Sequence, residues 1–310
     1  MKSNKRVVAN LVLLLTAAIW GLGFVAQKVG SEFVGAYTFN GIRFALGSLS
    51  LVPLIVFFDM KSKGKTSAKS EVSEKPQATA KQILLSGVVL GTILFIAASL
   101  QQIGMADSTA AKGGFITGLY MVFVPIFGLF LKHKIGKNVW IGVAAAVVGL
   151  YLLSIKEGFK IDDGDKLILI GAVFWAVHIL FIDNFSKKID ALKLSSVQFA
   201  TCSVFSLITA FATETITLKG LQSSLIPILY GGLLSVGVAY TLQVVAQKNA
   251  KPSHAAIILS MESVFAAIGG MIILSESLTL RAAIGCALIL VGILITQIEP
   301  NQNVEMHTEP

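Results

Sequence analysis

Charge is scarce in this sequence. Of its 310 residues, 14% are Asp, Glu, Lys or Arg, where a water-soluble domain carries about 25%. So little polar surface cannot cover a globule of this size, which argues against a soluble enzyme. Cysteine is nearly absent too, with only Cys202 and Cys286. Each stands alone inside an apolar run and reads as a small core residue, so neither a disulfide nor a metal site is expected. No Gly-rich phosphate loop, paired His/Cys ligand spacing or Gly-x-Ser-x-Gly elbow occurs. The chain is therefore not expected to pump with ATP, no catalytic residue is assigned, and no cofactor is implied.

Apolar residues fill the space that charge vacates, at 55% of the chain and a mean hydropathy of +0.79. A bilayer core about 30 Å thick needs about 20 apolar residues per helical crossing. Ten runs of that kind are bounded by charge or turn residues: Val7–Gln27, Ala36–Phe58, Ile83–Gln102, Ala110–Leu131, Val139–Ile155, Leu167–Ile182, Leu194–Thr213, Leu225–Ala246, Pro252–Leu274 and Leu280–Gln297. The expected fold is an all-α integral membrane protein of ten transmembrane helices. Residues 1–6 and 298–310 read as tails, and Asp59–Gln82 and Lys156–Lys166 as solvated loops, the second with Asp162, Asp163 and Asp165. The first run is apolar as far as Ala26 without a small-residue cleavage site, and reads as a retained helix rather than a leader. Asn184-Phe185-Ser186 fits a glycosylation pattern by accident, on a loop expected to face the cytoplasm.

Basic residues orient these crossings. With both termini inside, the inner segments hold Lys2, Lys5, Arg6, Lys61, Lys63, Lys65, Lys69, Lys75, Lys81, Lys132, Lys134, Lys137, Lys187, Lys188, Lys193, Lys248 and Lys251. The outer segments hold Lys28, Lys112, Lys156, Lys160, Lys166, Lys219 and Arg281, and Arg43 falls within a run. Both termini are thus expected in the cytoplasm, in a plasma (inner) membrane. Lys and Arg near anionic lipid contribute about 1 kcal/mol each to that orientation. The same bias accounts for the net charge of +8 without a nucleic-acid partner, for which no folded basic patch is available.

The two halves of the chain repeat. An offset of 155 pairs Leu14 with Leu169, Ala17 with Ala172, Trp20 with Trp175, Phe44 with Phe199, Ala45 with Ala200 and Ser48 with Ser203. Later the offset is 143, pairing Gly142 with Gly285, Val148 with Val291 and Gly149 with Gly292. The units are 7–155 and 167–297. Five crossings in each would insert the second half upside down, and inverted repeats of this kind are a transporter signature.

Trp20-Gly21-Leu22-Gly23-Phe24-Val25-Ala26-Gln27-Lys28, Ile42-Arg43-Phe44-Ala45-Leu46, Thr109-Ala110-Ala111, Pro125 and Ser260-Met261-Glu262-Ser263-Val264-Phe265-Ala266-Ala267 resemble the EamA branch of the drug/metabolite transporter superfamily, over about Val7 to Gln297. Met261 and Ser263 depart from that family's Leu-Glu-Pro-Val-Phe pattern, and Leu22-Gly23 replaces its small polar pair. The resemblance implies a secondary transporter whose first four crossings in each half line a central cavity, with the fifth pair packing at the periphery. It would move small metabolites such as amino acids, or drugs, outward by alternating access. The fifth and tenth runs carry Gly and Ala at spacings that let helix backbones approach, within one chain or between two in a homodimer.

Polar side chains in lipid face protein or water, so they mark the candidate cavity. Trp20, Gly23 and Gln27 share a helical face; so do Phe174, Trp175 and His178; and Tyr240, Gln243 and Gln247 form the clearest polar stripe. Thr117, Tyr120 and Gln198 are further candidates. Of two charges inside the runs, Arg43 lies about 10 Å below the outer end and Glu262 close to mid-bilayer. Glu262 is either a helix brace or a group used for protons or a cationic substrate, and Arg43 either a brace or a snorkelling residue. The competing class is a membrane-embedded enzyme: His178 and Asp183 have the His-x-x-x-x-Asp spacing of glycerolipid acyltransferases, in which a carboxylate orients a His that deprotonates an acceptor hydroxyl. No companion block supports it. The expected partners are a small-molecule substrate and the lipid bilayer.

Overall fold

In hydrocarbon a backbone N–H or C=O must find its partner within the protein, and a long apolar run achieves this as a helix. The computed structural model describes residues 2–66, 78–133, 135–154, 162–275 and 279–298, and all regular elements among them are helical. Eight stretches are long and apolar enough to cross a membrane. They are α1 (Lys2–Gly30), α2 (Ala36–Thr66), α3 (Ala80–Ala106), the pair α4 (Ala110–Gly118) and α5 (Tyr120–Phe130), α7 (Asp163–Ser186), α8 (Ala191–Thr213), a composite of α10 (Leu225–Leu229), a π-helical segment (Tyr230–Tyr240) and α11 (Thr241–Gln247), and the pair α12 (Pro252–Leu259) and α13 (Glu262–Ile273). Two more apolar helices, α6 (Lys137–Ser154) and α14 (Leu280–Gln297), have shorter apolar stretches, and α9 (Leu218–Ser223) precedes α10. The chain is a multi-pass membrane protein.

Helices outrun their apolar runs because helical hydrogen bonding has no reason to stop at the lipid boundary. Residues 2–6, expected as a tail, belong to α1, and α2 continues past Phe58 to Thr66. Elements begin where a side chain can cap them. Thr79 accepts from the Gln82 N–H in a capping box before α3, and Asp190 accepts from the Leu192 and Lys193 N–H groups before α8. The acidic stretch expected as a solvated loop is likewise drawn in: Asp162 caps α7, and Asp165 is buried at 2% exposure. Asp183, within α7, is buried as well, so Glu262 is not the only acidic side chain inside the helices. Segments 67–77, 155–161 and 299–310, with Lys69, Lys75, Lys156 and Lys160, and also Lys134, lie outside the described residues.

Two crossings break at mid-length. Between α4 and α5 the chain tightens into i→i+3 bonds, from Leu119 N–H to Ile116 O and from Val122 N–H to Leu119 O. Between α12 and α13 the same occurs, from Met261 N–H to Ile258 O and from Ser263 N–H to Ser260 O. The first residues beyond the breaks are Tyr120 and Glu262.

Packing follows a pattern of exchange. α2 lies along α8 and α6 along α14; α1 meets α13 as α7 meets α5; α3 lies against α7 and α8 as the π-containing crossing lies against α1 and α2. α6 and α14 join through glycine: a Cβ at Gly142 would stand 2.6 Å from the Gly292 carbonyl oxygen, and one at Gly149 2.6 Å from that of Gly285. The small-residue faces noted in the sequence therefore pack against each other within one chain.

Candidate substrate cavity

α1 presents Trp20, Phe24 and Gln27 along one face at helical spacing. These three, with Arg43 of α2, Gln101 of α3, Thr117 and Tyr120 flanking the α4–α5 break, Trp175 and Ile179 of α7, Ser235 and Tyr240 of the π segment, Gln243 of α11 and Glu262 at the start of α13, enclose a cavity of about 30 Å³. That is room for about one or two waters, so the site is narrow. Its lining comes from α1–α5, α7 and the α10–α13 stretch, with none from α6 or α14.

Tyr240 is the centre of an aromatic lattice. Its ring lies 4.5 Å from Trp20, 5.9 Å from Trp175 in a stacked arrangement, 6.1 Å from Phe44 and 5.9 Å from Phe199. The indole of Trp20 is fixed by an Nε1–H bond to the Ser235 carbonyl at 3.1 Å, which ties α1 to the π segment. π-helical turns are rare and concentrate at functional sites.

A second wall is made of amides. Gln101 Oε1 accepts from Trp175 Nε1 at 2.7 Å and from Thr117 Oγ1 at 3.4 Å, while its Nε2 donates to Gln27 Oε1 at 2.9 Å. Gln102 Nε2 donates to the Gln27 carbonyl at 3.0 Å. Four crossings are thus tied through Gln101, which the sequence reading passed over because it set the end of the third run at Gln102. The helix goes on to Ala106, so this glutamine pair lies inside the bundle rather than at its edge. Phe24, Ile179 and Ser235 were also missed, having no polar signal strong enough to separate them from lipid-facing or packing residues.

Two opposite charges share this space. Arg43 is 2% exposed; its Nε donates to Asn40 Oδ1 at 3.0 Å, and its guanidinium lies 5.3 Å and 5.0 Å from the ring centres of Phe39 and Phe44. Glu262 is 3% exposed, and its Oε1 has no hydrogen-bond partner. No ion pair joins the two among the described residues. Burying charges without pairing them costs several kcal/mol. The aromatic faces offset part of this for Arg43. The Tyr120 hydroxyl lies against the Glu262 carboxyl, and Gln243 Oε1 is buried without a partner. The cavity therefore holds unused acceptor capacity.

His178 and Gln198 do not line the cavity. Both are fully buried and bond to each other, His178 Nε2 to Gln198 Oε1 at 2.9 Å, beside Trp175 and Tyr240. Gln247 is used in packing, its Nε2 donating to the Ile179 carbonyl at 3.1 Å. Asp183 pairs with Lys187 at 2.8 Å instead of orienting His178, whose Nδ1 has no partner. The acyltransferase-like arrangement is therefore not assembled.

A family model for EamA-like transporters matches residues 7–155 and 163–298. The chain belongs to the EamA-like transporter family. It is 31% identical over 296 residues to an uncharacterized transporter of Archaeoglobus fulgidus, covering 95% of this chain and 87% of that one. It is 23% identical over 292 residues to the uncharacterized transporter YoaV of Bacillus subtilis, covering 92% and 95%. A solved crystal structure superposes with a TM-score of 0.71 over 93% of this chain and 96% of the other, at 15% identity, a likeness in fold alone. Membership in the EamA family points to a transporter rather than an enzyme.

Proposed function

We propose that this protein is a secondary transporter that exports small metabolites such as amino acids, or drugs, by alternating access at this narrow cavity, with ten crossings in two inverted repeats and both termini in the cytoplasm. The observation that carries the reading is the cavity itself. It joins unpaired Arg43 and Glu262, orphaned polar atoms and an aromatic wall at the mid-length breaks of two crossings, and broken helices at the bilayer midplane are where transporter sites are built. The exchange pattern of helix contacts supports the duplication. So does the family match in two stretches. Asn138 Nδ2, at the start of α6, bonds to the Ile298 carbonyl beyond the end of α14 at 2.6 Å. These helices are thus antiparallel, as a fifth and a tenth crossing would be.

Glu262 is the coupling group in this reading, because a buried carboxylate lining a narrow cavity can hold either a proton or a cationic substrate group. The test is reconstitution into liposomes with a metabolite panel, comparing Glu262→Gln with Glu262→Ala. Transport driven by a pH gradient is expected to stop in the Gln variant while exchange of labelled substrate continues. An unaltered pH-driven flux in Glu262→Gln would remove the coupling role, and absence of flux across the panel in the parent protein would remove the transport reading.

A further inference from the structure

The two ends of the bundle are built differently. At one end, polar bonds run between helices. Lys28 Nζ donates to the Ala106 carbonyl at 2.8 Å, joining the ends of α1 and α3. Glu214, after α8, accepts from the Tyr37 and Thr38 N–H groups at 2.8 Å each, closing the start of α2. Between them Lys112, in the first turn of α4, pairs with Asp165 and with Asp162 at the start of α7. Asp165 is held further by Ser108 Oγ at 3.2 Å and the Asp162 N–H at 2.9 Å. At the opposite end a vestibule of about 550 Å³ opens among the α5–α6 corner, the end of α7, the α11–α12 corner and the end of α14. Polar ties toward that end include Lys193 to Asp59 at 2.8 Å and Asn138 to Ile298, between helices already packed along their length, and Gln247 to the Ile179 carbonyl, between α11 and α7.

The sequence explains the difference. Exchanging α1 with α7 by the offset that pairs Trp20 with Trp175 sets Asp165 against Asn10. Lys112 is the third residue of α4, and the third residue of α12 is His254. One end therefore carries an acid–base pair across the α4–α7 contact. The matching positions at the other end hold Asn10 and His254, so the carboxylate of this acid–base pair is not repeated there. Separating α4 from α7 would strand the buried Asp165 carboxylate.

We propose that Lys112 and Asp165 form a latch that keeps this transporter shut at their end, so that the resting protein opens through the vestibule at the other end and takes its substrate from that side. The proposal rests on the transport reading but is tested without substrate. With Cys202 and Cys286 replaced by Ala, a Ser235→Cys reporter in the cavity wall is reacted in proteoliposomes with a membrane-impermeant thiosulfonate, applied to one side at a time. Labelling of the parent is expected to be faster from the vestibule side. Lys112→Met and Asp165→Asn should each raise the rate from the latch side at least tenfold, and Lys112→Arg, which keeps the charge beside Asp165 and Asp162, should stay near the parent value. Asn10→Asp with His254→Lys, which sets an acid and a base at these positions, should slow labelling from the vestibule side. Unchanged latch-side rates in the single variants overturn the latch, as does faster labelling from the latch side in the parent. If Asp165→Asn fails to fold, an unchanged vestibule-side rate in the added-pair variant does so instead. Sidedness that switches without any substrate flux would leave the latch standing and remove the transport reading.

Discussion

Gln101 concentrates more of the cavity's geometry than any single aromatic residue. It accepts from Trp175 and Thr117 and donates to Gln27, and a buried polar group stripped of its partner costs about 1–3 kcal/mol. Gln101→Leu is therefore expected to lower stability by that order for each orphaned partner and to impair transport, read as thermal unfolding in detergent alongside flux in liposomes. Gln101→Glu keeps the acceptor toward Trp175 but loses the donor to Gln27 Oε1 and buries a charge, so it should be no better tolerated. Tyr240 acts by shape: Tyr240→Phe should keep the ring lattice and most activity. Tyr240→Ala removes the ring on which Trp20, Trp175, Phe44 and Phe199 converge, a loss of about 3–5 kcal/mol. Gln243→Ala deletes an orphaned acceptor from the cavity wall and should weaken transport while leaving abundance in the membrane near normal. Normal transport in both Tyr240→Ala and Gln243→Ala would show that this face is not the substrate wall.

Among the elements, α6 and α14 serve the fold and stay clear of the cavity. Their backbones approach so closely at Gly142 with Gly292 and Gly149 with Gly285 that a larger side chain has no room, as close packing in membranes favours. Gly292→Leu is expected to cost about 1–3 kcal/mol by overpacking and to lower the unfolding temperature, while variant protein that does fold transports with the parent's substrate preference. A changed preference with unchanged stability would reverse that assignment. The breaks in α4–α5 and α12–α13 have the opposite duty, since they set Tyr120 and Glu262 at the cavity rather than burying them in a continuous helical seam. Spacing along the apolar runs carried no trace of them, because i→i+3 tightening at Leu119 and at Ser260–Met261 leaves hydropathy unchanged.

For the molecule as a whole, the distribution of lysine and arginine makes a sided expectation. In the cysteine-free background, Lys188→Cys should react with an impermeant reagent only from the cytoplasmic side, and Lys219→Cys only from outside. Labelling of Lys188→Cys from outside intact cells would turn the topology over. The same experiment assigns the vestibule, which shares its end of the bundle with Lys187, Lys248 and Lys251, to the cytoplasm or the exterior.

The amino-acid sequence alone determined the medium, the helical class and the family, because burying an apolar surplus in lipid and satisfying the backbone leaves few solutions, and because Trp20, Arg43, Glu262 and their neighbours form recognisable runs. Helical periodicity also put Trp20 with Gln27, and Tyr240 with Gln243, on common faces, and these four do line the cavity. It could not separate cavity from packing, since a polar residue facing another helix has the same spacing as one facing a hollow. His178 and Gln198 found each other, and Gln101, one residue inside the Gln102 end of the third run, became the centre of a wall. Which charges meet was equally a tertiary matter. Lys112 reached Asp165 across two helix starts, whereas Arg43 and Glu262 came to one cavity without pairing, because those distances depend on how the helices cross and not on any order along the chain.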